Sequence, residues 1–106
     1  MPTGRLGALN LSATSNTVLY EPLINTFGVV TVNMVNRGAS AVAVRIAIAT
    51  SSSPGDTEYI EYGVSLGANA VLERTGLVVG YGQKIVVYAS AANISAVAYG
   101  IETATS

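Results

Sequence analysis

The chain has 106 residues, half of them apolar and a tenth charged, with net charge −1 and neither cysteine nor histidine. That length supports one domain with a two-layer core. The missing residue types exclude Ser-His-Asp and Cys-His nucleophile systems, the common zinc sites and any disulfide staple.

Ordinary soluble domains carry roughly a quarter charged residues, so a chain this poor in charge is expected to bury surface against partners. Its five cations, Arg5, Arg37, Arg45, Arg74 and Lys84, are scattered singly, which argues against nucleic-acid binding through phosphates. Spanning helices need ~20 apolar residues, and the apolar runs here reach about ten, the longest split by Arg45. A transmembrane barrel would need more strands and aromatic girdles. The N-terminus lacks a cationic segment leading into an apolar run, so classical export is not expected. Nucleic acid and membrane are therefore set aside as partners.

Residues 1–8 are glycine-rich and read as a short flexible arm. Leu9 and Leu11 suggest a short strand, and Ser12 to Asn16 a turn. Thr17-Val18-Leu19-Tyr20 suggests a second strand, stopped by Glu21-Pro22 because proline cannot donate to a ladder. Residues 28–50 hold two runs alternating with period two around Asn36-Arg37-Gly38-Ala39-Ser40, which reads as a hairpin. In the second run Val42, Val44, Ile46 and Ile48 form a β-branched core face. The opposite face is Ala41, Ala43, Arg45, Ala47 and Ala49, where Thr, Lys or Glu would be usual.

Ser51 to Asp56 is a loop. Thr57 to Tyr62 follows as a strand, with Glu58, Ile60 and Tyr62 opposite Tyr59 and Glu61. Gly63, Gly67 and Asn69 interrupt the chain next. Val71-Leu72 and Leu77-Val78-Val79 read as two short strands around Glu73-Arg74-Thr75-Gly76, and Gly80-Tyr81-Gly82-Gln83 as a turn. Lys84 to Ser90 and Ser95 to Ile101 read as a second hairpin. The Ser-Ala-Val-Ala shared by 40–43 and 95–98 is attributed to convergence of composition. No helical period is sustained. The expected fold is all-β, an antiparallel β-sandwich of about eight strands with immunoglobulin-like or jelly-roll topology, forming one domain over 1–106.

No constellation points to catalysis. Glu58 and Glu61 form the closest carboxylate pair, and three apart on a strand they face opposite ways. Asp56, Glu58 and Glu61 could contribute oxygens to calcium but lack EF-hand spacing. Gly80-Tyr81-Gly82 lacks the third glycine and the helix of a dinucleotide fingerprint. The expectation is a non-enzyme without cofactor or metal. Arg45 reads either as a solvated charge or as an interface arginine suited to a partner's carboxylate. Tyr59, Tyr62, Tyr81, Tyr88 and Tyr99 read equally as core edges or contact anchors, and the candidate interface is Ala41, Ala43, Arg45, Ala47 and Ala49 with Tyr59, Tyr88 and Tyr99. One rival covers the alanines with the chain's own terminal arm.

Several segments resemble small virion structural proteins of tailed bacteriophages, cyanophages included. They are 16–22 (NTVLYEP), 30–38 (VTVNMVNRG), 44–48 (VRIAI), 59–62 (YIEY), 71–76 (VLERTG) and 99–102 (YGIE). The resemblance implies a virion component at the capsid surface, assembled in the host cytoplasm. It also implies a homo-oligomer, dimer or trimer, partnered by the major capsid protein or other virion proteins as a decoration or cement protein. The alternative it implies is a tail, fibre or baseplate module that attaches to a host surface, possibly through glycan.

Overall fold

Period-two alternation gives each strand one apolar face, and two sheets that oppose those faces exclude water from both at once. In the computed structural model, which describes residues 3–104, the chain does this with eight strands. They are β1 (Thr3–Asn10), β2 (Thr17–Tyr20), β3 (Thr26–Asn36), β4 (Val42–Ala49), β5 (Tyr59–Leu66), β6 (Val71–Gly80), β7 (Lys84–Ala89) and β8 (Ile94–Ala104). One antiparallel sheet has the order β1-β8-β3-β6, and the other β2-β7-β4-β5. Between them lie Val30, Val32 and Met34 of β3, Val42, Val44 and Ile46 of β4, Ile85 and Val87 of β7, and Ile94, Ala96 and Ala98 of β8.

The strand order separates the two expected topologies. Only β4 and β5 are both consecutive in the chain and hydrogen-bonded neighbours; every other connection among the described strands crosses between sheets. That is a jelly roll. Neither of the two hairpins read from the sequence is therefore a hairpin. β3 pairs with β6 and β8 while β4 pairs with β5 and β7, and β7 and β8 likewise belong to different sheets. The alternation reported which side of each strand is buried, and both partners of a corner bury the same kind of side.

Asn36 holds the β3–β4 corner. Fully buried, it donates through Nδ2 to the carbonyls of Ser40 (2.8 Å) and Leu66 (2.9 Å) and accepts the Gly38 N–H (2.9 Å) on Oδ1. One side chain thus supplies partners to the buried Leu66 carbonyl and to two part-buried groups of the turn.

Two further expectations change. Residues 3–8, read as an arm, belong to β1, paired to β8 from Thr3 opposite Ile101 to Asn10 opposite Ser95; residues 1–2 of that arm lie outside the described residues. Backbone pairing stabilises this edge despite its glycines, and at Gly7 a Cβ would meet the Leu19 carbonyl oxygen of β2. The two short strands expected around Glu73–Gly76 are one strand, β6. Its register against β3 shifts between Val30 and Val32, where Thr75 and Gly76 face Thr31 alone. Gly76 takes φ +71° there, which glycine allows at no steric cost.

A buried polar pair closes one end of the core. Tyr20 donates its hydroxyl to Glu102 Oε2 at 2.7 Å, and both residues are buried. The Tyr20 ring packs on Gly28, where a Cβ would lie 2.5 Å from the Tyr20 oxygen. Burial first, and then the hydrogen bond to Glu102, pushes the Tyr20 phenol well above its ordinary pKa. Glu102 Oε1 has no hydrogen-bond partner among the described residues.

Candidate functional site: a tyrosine–arginine platform on the β2-β7-β4-β5 sheet

The outward side of β4 carries the alanine-rich face singled out in the sequence. Its cross-strand neighbours decide what that face is. Arg45 lies opposite Tyr88 of β7 on one side and Tyr62 of β5 on the other. Residues directly opposite in an antiparallel pair share a face, so the three side chains form a row across three strands. The Arg45 guanidinium carbon sits 4.4 Å from the Tyr62 ring centroid and 4.2 Å from that of Tyr88. Each such contact is worth about 0.5–1 kcal/mol at an exposed site. No carboxylate among the described residues lies within ion-pair distance of Arg45; the two salt bridges there are Arg74–Glu61 and Lys84–Glu21.

Tyr59 joins the row because β5 carries two irregularities. Arg45 pairs with Tyr62, Ile46 with Glu61 and Ala47 with Tyr59, so Ile60 is an extra residue; Gly63, at φ +69°, is another between Tyr62 and Val64. A bulge reverses the facing of the residues beyond it. Tyr59 and Tyr62, expected on opposite faces, both turn outward, while Ile60 packs on the core and Glu61 turns between the sheets to meet Arg74 of β6 at 2.8 Å. The two tyrosine rings meet edge to face, centroids 4.9 Å apart at 81°. With Asp56 they line an open cleft of about 370 Å³.

The alanines play a different part from the one expected. Ala47 and Ala49 have no accessible surface and form a small cluster with Val86, packed against by Val18 and Tyr59. They cannot touch a partner, so they leave the candidate interface. Residues 3–8 of the expected arm do not cover them either, since β1 lies in the other sheet. Ala41 is exposed but precedes β4, and Ala43 is half-buried with its N–H donated to Ser90 Oγ. Tyr99 stands on the opposite sheet, where its hydroxyl donates to Glu73 at 3.0 Å. Of the residues proposed from sequence, the fold brings Arg45, Tyr59 and Tyr88 together. Tyr62, which read equally as a core edge or a contact anchor, joins them through the bulges of β5, and Asp56 completes the group.

The carboxylates considered for calcium point apart. Glu58 accepts the Gly55 N–H (2.8 Å) and the Thr50 N–H (3.2 Å) and so fastens the β4–β5 loop, while Glu61 is held by Arg74. No cluster of three metal-ligating side chains occurs among the described residues. No helix there is long and apolar enough to cross a membrane. Comparison with family models, curated proteins and solved structures returned no match to this chain.

Proposed function

We propose that this jelly-roll domain is a non-enzymatic structural subunit of a bacteriophage particle, which oligomerises and binds the capsid shell as a decoration or cement protein. The observation that carries this reading is the Tyr62–Arg45–Tyr88 row. It is an outward, preorganised arginine with no acidic partner among the described residues. Tyrosine and arginine dominate binding hot spots, and a planar guanidinium is suited to bidentate pairing with a carboxylate on the shell. The low charge content and the segments resembling phage virion proteins support it. Many symmetric copies turn modest contacts into avidity. Co-sedimentation with capsid shells tests the reading. The wild-type chain is expected to pellet with shells and Tyr62→Ala, a change at an exposed side chain, to weaken that at least about tenfold. A chain with no affinity for shells contradicts it.

The cleft of Asp56, Tyr59 and Tyr62 favours a second reading, a tail, fibre or baseplate module that attaches to host-surface glycan. Jelly rolls serve as lectins as well as capsid domains, and a carboxylate beside two aromatic rings suits hydroxyl-rich ligands. Specific signals on a glycan array, lost in Asp56→Asn, would put this reading first.

A further inference from the structure

The outer side of the β1-β8-β3-β6 sheet displays apolar side chains that none of the described residues covers. Register places Val78, Val29 and Ile101 in one row across β6, β3 and β8. They are 59%, 43% and 58% exposed. In the next row Tyr99 lies beside Arg5 of β1, and its hydroxyl reaches across β3 to Glu73 of β6. Val71, also exposed, ends the face on β6. Arg5 has no carboxylate at ion-pair distance among the described residues. The face is therefore an apolar row with a cation on one edge strand and an anion on the other.

We propose that this face is a two-fold interface between copies of the chain, packed sheet to sheet about an axis parallel to the strands. The proposal rests on the homo-oligomeric reading above and specifies its surface. Charge chooses the axis. A two-fold along the strands lays β1 of one copy over β6 of the other, so Arg5 meets the partner's Glu73 region at both edges. A two-fold across the strands would lay β1 over β1 and oppose Arg5 to itself. Arg5 and Glu73 differ by one row, ~7 Å along the strand, and packed sheets sit ~10 Å apart, a gap that an arginine and a glutamate span together. Along the centre β8 of one copy lies over β3 of the other, so Ile101 faces the partner's Val29 and Tyr99 the partner's Thr31, the reciprocal pairing of an isologous contact. A patch four strands wide and about seven residues long covers roughly 500 Å². Face to face it buries on the order of 1,000 Å² in total, which meets the minimum for a biological interface and suits a weak dimer.

The test is light scattering across a dilution series, with shell co-sedimentation run on the same samples. Wild type is expected to give a dimer that dissociates on dilution. Ile101→Glu and Val78→Glu, at exposed positions, are expected to raise the dissociation constant at least about tenfold, with the melting temperature unchanged at monomeric dilution. Arg5→Glu alone weakens the dimer, and Arg5→Glu combined with Glu73→Arg restores it. A dimer indifferent to all four changes overturns the interface and leaves the virion reading standing. A chain monomeric throughout but bound to shells does the same. A monomer that also ignores shells overturns both.

Discussion

The two outer faces of the sandwich use similar residue types to opposite ends. On the β2-β7-β4-β5 sheet, small alanines lie in a trough and larger neighbours close over them. Val18 and Tyr59 pack on Ala47, Ala49 and Val86, and Tyr62 and Tyr88 clamp Arg45. On the β1-β8-β3-β6 sheet, Val29, Val78 and Ile101 stand level with one another and stay open. Exposure of a strand residue thus depends on the height of its cross-strand neighbours more than on its own hydropathy. The alanines that look like an open face along one strand are covered within the monomer, and the face assembled from three strands is left open.

The sharpest way to break this contrast is to charge the closed face. Ala47→Glu places a carboxylate where no solvent reaches, and is expected to cost at least about 3 kcal/mol in urea unfolding. A change below about 0.5 kcal/mol would mean that the trough is open. Next in size is the corner that lets β3 and β4 lie in different sheets. Asn36→Ala takes partners from the buried Leu66 carbonyl and from two part-buried turn groups, at about 1 kcal/mol each, so a loss of roughly 2–3 kcal/mol is expected in the same assay.

Smaller still is Tyr20→Phe, which takes the hydroxyl from buried Glu102 and is expected to cost about 1–3 kcal/mol near neutral pH. It also has a pH signature. The folded state holds the Tyr20 proton above the phenol's ordinary pKa of about 10, so the associated stability is complete below that value. Above it the unfolded chain releases the proton first, and stability falls as pH rises toward the folded pKa. Denaturation melts from pH 8 to 11 should show a decline that Tyr20→Phe reduces. Least of all is Glu61→Ala. It removes a partly exposed bridge between the edges of β5 and β6, with an expected change of under about 1 kcal/mol.

How much of this was readable in the residues depends on what alternation encodes. Val42, Val44 and Ile46 were legible as core because a buried strand face needs large side chains every second position, and all three are buried. The pairing was not legible. A five-residue break between two alternating runs looks the same whether it makes a hairpin or a corner, and Asn36 reveals its role only through carbonyls as distant as Leu66. The platform was half legible. Arg45 and Tyr88 could be singled out as contact residues, but the outward turn of both Tyr59 and Tyr62 depends on bulges at Ile60 and Gly63. Gly63 carried a hint of that irregularity; Ile60 carried none. The exposed row of Val29, Val78 and Ile101 escaped notice because its members come from three strands far apart in the chain.

The contrast between the two sheets turns on the alanines being closed within the monomer while the valine–isoleucine face is open. Methyl relaxation by a soluble paramagnetic probe, on a sample dilute enough to be monomeric, measures this residue by residue. Strong enhancement is predicted at Val29, Val78 and Ile101, with almost none at Ala47 and Ala49. Enhancement at the two alanines equal to that at Val78 and Ile101 would contradict the closure of that face.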